Sequence, residues 1–292
     1  MLIWRSFTHW IGGMGVLVFI LCLLPLTGGY HMNLMKAESP GPSVSKLVPK
    51  VQSTAKILYT IYIILTIVEI IFLLIGKMPL FDTLCLSFGT AGTGGFGIKN
   101  DSIASYSTYN QVVITVFMIL FGINFNAYYL LLTKKVMQAA KNEEVRYYLG
   151  IIGLAIVAIA INTREMFTSF GRAFQQAAFQ VGSIITTTGY ATTDFNVWPV
   201  FSKTILVILM FVGACAGSTG GGIKVSRLLI LCKSARKELQ LYLHPNAVKK
   251  IKMDDKAIPH EVVRATNMFL FVYIMISVSY THLRAHETAA NL

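Results

Sequence analysis

Long apolar segments separated by short polar ones run through most of this 292-residue chain. A transmembrane helix needs about 20 predominantly apolar residues, and several segments reach that length. The last of them is longer and carries a glycine-rich interruption. The pattern predicts spans at 8–27, 57–76, 112–133, 148–162 and 199–232.

Two shorter apolar segments, 79–90 and 167–183, have the length of half-helices that enter a membrane without crossing it. Each leads into a loop of Thr and Gly: residues 91–97, AGTGGFG (the first Thr-Gly loop), and residues 185–191, ITTTGYA (the second Thr-Gly loop). Irregular backbone at membrane depth is tolerated only where it is buried in protein or lines a water-filled path. Its carbonyl oxygens can there replace the water shell of a monovalent cation. Because the loop occurs twice in matching context, an ion filter is favoured over an extramembrane turn.

The order of span, short helix, Thr-Gly loop and span occurs twice, and such a repeat dictates the architecture. The later of the two copies, 148–232, ends in a broken helix. Around the two repeats we expect parts of two more, cytoplasmic loops and a tail of unrelated sequence. The predicted segments are 1–35 (closing helix of a first repeat), 36–56 (cytoplasmic loop), 57–133 (second repeat), 134–147 (cytoplasmic loop), 148–232 (third repeat), 233–260 (basic cytoplasmic segment), 261–276 (start of a fourth repeat) and 277–292 (spurious tail).

Composition fits this pattern, since 54% of the residues are hydrophobic and only 13% are charged, against about 25% in soluble domains. The net charge of +12 comes mainly from 36–56, 134–147 and 224–256. Loops rich in Lys and Arg stay in the cytoplasm, which places the Thr-Gly loops toward the other side. The excess therefore indicates topology, and no nucleic-acid partner is expected. The six histidines and four cysteines form no catalytic or metal-binding motif, so an enzyme is not expected.

Residues 213–222, GACAGSTGGG, interrupt the last span. A broken transmembrane helix frees backbone groups that neighbours or water must satisfy, and glycine makes such a segment easy to move. The pattern predicts a gate, and a passive kink for close packing is the alternative. Glu69, inside the span 57–76, is either a functional intramembrane carboxylate or a side chain that reaches the interface; the sequence favours neither.

Six motifs together resemble the Trk/Ktr/HKT potassium-transporter superfamily, in particular its Trk-type membrane subunit, from about residue 4 to residue 276. They are WRSFTHWIGGMGVLVF, ESPGPSVSK, TAGTGGFGIKND, FQVGSIITTTGYATTDFNVWP, GACAGSTGGGIKVSRLL and LHPNAVKKIK. The resemblance implies an all-α membrane protein, with repeated helix–pore helix–filter loop–helix units around a pseudo-fourfold pore. It also implies potassium uptake across a bacterial inner (plasma) membrane by a multi-pass protein.

The resemblance assigns roles to particular residues. Backbone carbonyls would bind K⁺ in a filter made by Ala91, Gly92, Thr93, Gly94, Thr186, Thr187, Thr188 and Gly189. An intramembrane gating loop would be made by Gly213, Gly217, Ser218, Thr219, Gly220, Gly221, Gly222 and Lys224. The expected partners are K⁺ as the transported ion, the lipid bilayer, a second copy in a homodimer and a cytosolic ring of nucleotide-binding regulatory subunits; no cofactor and no other metal are expected in this chain.

Two departures from the family pattern shape the expectation. The first repeat lacks its opening helix and filter, and the fourth lacks its filter and closing helix. We therefore expect an interior fragment, with a tail at 277–292 that fits nothing in the family. The alternative function is a Na⁺-preferring transporter, or an ion-coupled secondary transporter (a symporter) with discontinuous helices.

Overall fold

Helices make up nearly all the regular structure of this chain. The computed structural model describes residues 1–15, 51–244, 250–254 and 256–290. They fall into two compact units, Met1–Ser226 and Arg227–Leu292. The α-helices are α1 (Leu2–Gly13), α2 (Val51–Ile75), α3 (Leu80–Ala91), α4 (Thr108–Phe121), α5 (Phe125–Leu132), α6 (Val136–Ala140), α7 (Glu143–Asn162), α8 (Phe170–Ile185), α9 (Val200–Val212), α10 (Val225–Leu243) and α11 (His260–Ala290).

Polar cap residues fix where several apolar helices begin. Before α4 the Ser107 side chain accepts a hydrogen bond from the backbone N–H of Asn110. Before α7 the Asn142 side chain accepts one from Val145 N–H. Each cap satisfies one of the backbone donors that a helix N-terminus leaves without an intrahelical partner.

The prediction of one unbroken span at 112–133 is wrong, because α4 and α5 are bent by 91° at their junction. Gly122 ends α4 and Asn124 caps α5, with its side-chain oxygen 2.9 Å from Asn126 N. The backbone groups that the bend releases are bonded to residues of the glycine-rich segment: Cys215 N–H donates to Gly122 O and Phe125 N–H donates to Gly217 O, both at 3.0 Å. Residues 215 and 217, in the glycine-rich interruption of the last span, therefore stabilise the bend between α4 and α5.

Other boundaries also differ from the predicted ones. The predicted span 8–27 falls largely outside the described residues, and its described part belongs to α1, which begins at Leu2. The end of the predicted loop 36–56 is helical from Val51 onward. The predicted loop 134–147 contains α6 and the first turn of α7.

Tyr62 belongs to the core of the first unit and is fully buried. Its ring stacks on Trp10 with centroids 5.3 Å apart, and meets Phe121 and Phe125 edge-on at 5.8 and 6.2 Å. The Tyr62 hydroxyl donates to Trp10 O at 2.8 Å. Aromatic rings bury large apolar areas and prefer such tilted contacts, so this cluster fixes α1, α2, α4 and α5 against one another.

Three described helices are long and apolar enough to cross a membrane, and a fourth span results if the bent pair α4–α5 counts as one. The three are Ala55–Ile75, Glu143–Asn162 and His260–His282. The outer face of α2 is apolar: Ile67, Ile71 and Ile75 are 50%, 49% and 65% exposed. Such a continuous apolar surface suits contact with lipid.

The second unit contains α10 from Arg227 onward, a short antiparallel hairpin and α11. Lys252–Met253 pairs with Lys256–Ala257. Ile230, Ile251 and Val263 form a small buried cluster. The helix α11 continues through position 277 without interruption, and the candidate span within it has 23 residues. The boundary predicted at 277, between the start of a fourth repeat and the tail, therefore falls inside a helix.

Candidate ion filter and gate

The first Thr-Gly loop leaves the C-terminus of α3 by a fixed set of backbone hydrogen bonds. Its N–H groups turn back to the carbonyls of the last helical turns, which satisfies acceptors that a helix C-terminus exposes. The three bonds run from Gly92 N to Phe88 O (3.0 Å), from Thr93 N to Thr90 O (3.1 Å) and from Gly94 N to Gly89 O (2.7 Å).

The second Thr-Gly loop repeats this pattern at the end of α8, each position shifted by 94 residues (186 − 92 = 94). The corresponding bonds run from Thr186 N to Gly182 O (3.2 Å), from Thr187 N to Ile184 O (3.0 Å) and from Thr188 N to Ser183 O (2.9 Å). The two loops are therefore the same backbone motif used twice.

The backbone dihedrals match as well. Thr93 and Thr187 have φ of +50° and +59°, while Gly95 and Gly189 have φ of +67° and +89°. A β-branched residue at positive φ is a genuine outlier, and such strain persists only where its surroundings enforce it. The match pairs Gly189 with Gly95, whereas the predicted filter set stops at Gly94. Gly95 is thus a candidate filter residue that sequence reasoning missed, although a glycine at this position of a Thr-Gly loop could have indicated it.

The two loops lie side by side. A Cβ placed on Gly95 would overlap the Thr188 carbonyl oxygen. Just beyond the loops, Ile103 N–H donates to Ala191 O at 3.0 Å. The two backbones therefore run in contact, which is possible only because position 95 has no side chain.

Several carbonyl oxygens in the middle of each loop have no hydrogen-bond donor within the described part of the chain. This holds for residues 92–94 and for residues 187–189. A backbone carbonyl away from bulk water requires a partner, and a desolvated cation is such a partner. Exposure alternates along the second loop: Thr187 and Gly189 are exposed, whereas residues 186, 188 and 190 are buried. One face of the second loop is therefore accessible to solvent.

Residues 213–224, the glycine-rich loop, touch both Thr-Gly loops. The Thr93 hydroxyl donates to Thr219 O at 3.2 Å, and Gly221 N–H donates to the Thr187 hydroxyl at 2.7 Å. A Cβ on Gly220 would lie 2.9 Å from Thr186 O. The strained threonines of the two loops are therefore the ones that hold the glycine-rich loop.

The other residues predicted for the gate lie within the same loop. Ser218 Oγ donates to Cys215 O at 2.7 Å, and the nearly buried Lys224 ammonium donates to Gly220 O. A Cβ on Gly222 would lie 3.0 Å from Gly213 N, so the two ends of the glycine-rich loop meet. The predicted filter and gate residues thus come together in one place.

Two supporting residues lie outside the predicted filter and gate sets. Glu144 accepts hydrogen bonds from the glycine-rich loop and from the bend between α4 and α5. Tyr190 joins the two repeats: its hydroxyl donates to Leu86 O at 3.2 Å, and its carbonyl accepts from Ser183 Oγ at 2.6 Å. For Glu144 the sequence shows only an Asn-Glu-Glu helix start at 142–144, and for Tyr190 only an aromatic residue after a glycine.

Glu69 is fully buried in α2, which excludes the alternative that it reaches the interface. Neither carboxyl oxygen has a hydrogen-bond partner among the described residues. A carboxyl buried in apolar surroundings without a partner is costly.

A family model described as TrkH, a cation transport protein, matches residues 1–287 of this chain. The chain belongs to the TrkH family of cation transport proteins. The resemblance to Trk-type membrane subunits is thereby confirmed. The match continues past residue 276, where the resemblance was expected to end.

Relatives and a solved structure agree with this membership. The Trk system potassium uptake protein TrkH of Vibrio parahaemolyticus is 37% identical over 285 residues, which cover 95% of this chain and 59% of that protein. Its counterpart from Salmonella typhimurium is 34% identical over 282 residues, covering 95% of this chain and 58% of the relative. The crystal structure of the potassium transporter TrkH from Vibrio parahaemolyticus superposes with a TM-score of 0.80 at 33% identity, covering 95% of this chain and 57% of that one. The all-α membrane fold is confirmed, and the chain spans about three fifths of its relatives' length.

Proposed function

We propose that this TrkH-family chain is part of a potassium-uptake pathway across a bacterial inner membrane, with the Thr-Gly loops as filter and the glycine-rich loop as gate. The observation that carries the proposal is the duplicated loop: the same backbone motif occurs twice, the two copies lie in contact, and the carbonyls of 92–94 and 187–189 have no donor among the described residues. The printed names of the relatives, potassium uptake proteins, support K⁺ as the ion.

In this proposal the filter works by carbonyl solvation. The oxygens of residues 92–94 and 187–189 replace water around K⁺ as it enters from the outer side. Gly95, the equivalent of Gly189, extends the first of these strands. A cage of this kind needs contributors around the whole ion, so loops from two further repeats, or from another chain, complete it.

The gate acts at the inner end of these strands. In the described arrangement Gly221 N–H donates to the Thr187 hydroxyl, so the glycine-rich loop lies where a cation leaving the filter must pass. Transport then requires this loop to move. Lys224 places a positive charge within the same loop, which opposes a cation while the loop stays in position.

The proposal includes the remaining expectations for the assembled transporter. The pore forms in a homodimer, and a cytosolic ring of nucleotide-binding subunits regulates it. The basic segment 233–260 lies on the cytoplasmic side by its charge and provides the chain's surface for that ring or for anionic lipid. No catalytic step is involved.

Growth of a bacterium without its own K⁺-uptake systems tests the proposal. The chain is expressed from its gene with the flanking reading frame on both sides, and growth is measured at low external K⁺. Restored growth with rubidium uptake above the vector control is the expected result. Protein present in the membrane without any rubidium uptake overturns the proposal.

A further inference from the structure

The carboxylate of Glu144 is aimed at the glycine-rich loop from outside it. Glu144 lies in the first turn of α7 and is 2% exposed. Its Oε1 accepts hydrogen bonds from Ala216 N–H at 2.6 Å and from Ser226 N–H at 3.2 Å. Its Oε2 accepts one from Asn124 Nδ2 at 3.3 Å. A single carboxylate thus binds three donors.

These donors belong to three separate pieces of the chain. Ala216 is inside the glycine-rich loop, Ser226 is in the first turn of α10 just after it, and Asn124 caps α5 at the bend. If the glycine-rich loop moves while α7 stays in place, at least the bond to Ala216 must break. Glu144 therefore contacts the loop, the start of α10 that follows it and the cap of α5 at the bend.

The chemistry of the contact suits a strong attachment. Hydrogen bonds to an ionised carboxylate are shorter and stronger than those between neutral groups. Ser226 N–H is one of the donors that the start of α10 leaves without an intrahelical acceptor, and the positive end of a helix dipole favours a negative charge there. Other backbone donors of the glycine-rich loop bond to neutral acceptors: Cys215 N–H donates to Gly122 O, and Gly221 N–H donates to the Thr187 hydroxyl.

We propose that Glu144 is a latch: its carboxylate holds the glycine-rich loop in the position beneath the two Thr-Gly loops, and the gate opens by breaking this contact. Glu144 is a positioning residue, since it acts through Ala216 and touches no filter carbonyl. The inference rests on the proposed gating function and names the contact that must be released.

The native Cys215 provides a reporter for the test. It lies in the glycine-rich loop, is fully buried and is not disulfide-bonded. In a background with Cys22, Cys85, Cys232 and any cysteine of the flanking reading frame replaced by Ala or Ser, Cys215 is the thiol left to react. The rate of its modification by a small cationic methanethiosulfonate reagent then measures how often the loop leaves its position, in the full-length protein reconstituted in liposomes.

Glu144→Gln removes the charge and one strong acceptor while keeping the shape. We expect Cys215 to react at least about tenfold faster, as loss of a charged hydrogen bond predicts. Glu144→Asp, which keeps the charge, should restore most of the slow rate. The matched control is Glu143→Gln, which neutralises the neighbouring carboxylate on the same turn and should leave the rate unchanged.

A second variant keeps Glu144 and changes its hydrogen-bond partner Asn124. Asn124→Asp retains the cap on α5 but puts a carboxylate opposite Glu144 Oε2, and faster Cys215 modification is expected from the repulsion. An unchanged Cys215 rate in both Glu144→Gln and Asn124→Asp overturns the latch. Because thiol modification needs no ion flux, the two proposals can fail separately. Faster modification in the variants, with no K⁺ transport by the parent protein, keeps the latch and refutes the proposed function. K⁺ transport by the parent protein, with an unchanged modification rate in the variants, keeps the function and refutes the latch.

Discussion

The two Thr-Gly loops have the same backbone but different supports. The first is supported by α1: Arg5 donates to Gly97 O at 3.2 Å, and the His9 ring lies 5.1 Å from that of Phe96. The second is supported by its own side chains. The Thr186 and Thr188 hydroxyls are 2.8 Å apart and both threonines are buried.

The difference in support is clearest at the equivalent positions 94 and 188. A Cβ on Gly94 would lie 2.8 Å from the His9 ring, so glycine is needed to admit a neighbour. At the equivalent position Thr188 fills the space with its own side chain. The common element is therefore the backbone and its row of carbonyls, while the side chains behind it need only fill the available volume. The predictions below test that conclusion from the largest effect to the smallest.

Gly95→Ala should have the largest effect. Its Cβ would overlap Thr188 O, and a non-glycine residue at φ of +67° adds about 1–2 kcal/mol of strain. We expect loss of rubidium uptake and a lower melting temperature in detergent. Gly189→Ala is the comparison: its Cβ meets no heavy atom within 4 Å, so only strain remains and the melting temperature should fall less. Equal effects at 95 and 189 would contradict the close contact of the loops.

Thr187→Val should have the next largest effect, because it removes a hydroxyl with two partners. The hydroxyl donates to Thr186 O at 2.6 Å and accepts from Gly221 N–H. Each lost hydrogen bond costs about 0.5–1.5 kcal/mol, so the loop should leave its position more often and Cys215 should react faster. Thr187→Ser keeps the hydroxyl and serves as the control. Thr93→Val loses one bond only, and a larger response there than at 187 would argue against this ranking.

Tyr190→Phe should have the smallest effect. It removes the hydroxyl bond to Leu86 O, whereas the equivalent residue of the first loop, Phe96, has no hydroxyl at all. One neutral hydrogen bond contributes about 1 kcal/mol, so the melting temperature should fall slightly while rubidium uptake persists. Abolished uptake would mean that side chains, and not the shared backbone, define the filter.

The local features of the site were predictable from the sequence. The short helix predicted at 79–90 is α3, Leu80–Ala91, and the one predicted at 167–183 is α8, Phe170–Ile185. The helix predicted to break at 213 does end at Val212. In each case glycine or a polar cap marks the boundary within a few residues of sequence.

The missed features depend on residues far apart in the chain. Phe-Gly-Ile-Asn at 121–124 contains both a helix stop and a cap, yet the bend there is stable because Cys215 and Gly217, some 90 residues away, bond to it. Glu144 likewise looks like an ordinary first-turn acid. Its bond to Ala216 spans 72 positions, and hydropathy patterns carry no information about such pairs.

The ratio of K⁺ to Na⁺ flux in Gly189→Ser tests the central claim most directly. Serine fits the open space beside Gly189, but φ of +89° strains it, so the strand should shift while the protein still assembles. The matched control is Gly150→Ser in α7, which also has open space but ordinary helical geometry. The account predicts a lower K⁺/Na⁺ ratio for Gly189→Ser alone. An unchanged ratio, with the variant losing only its assembly, would contradict a carbonyl filter at the Thr-Gly loops.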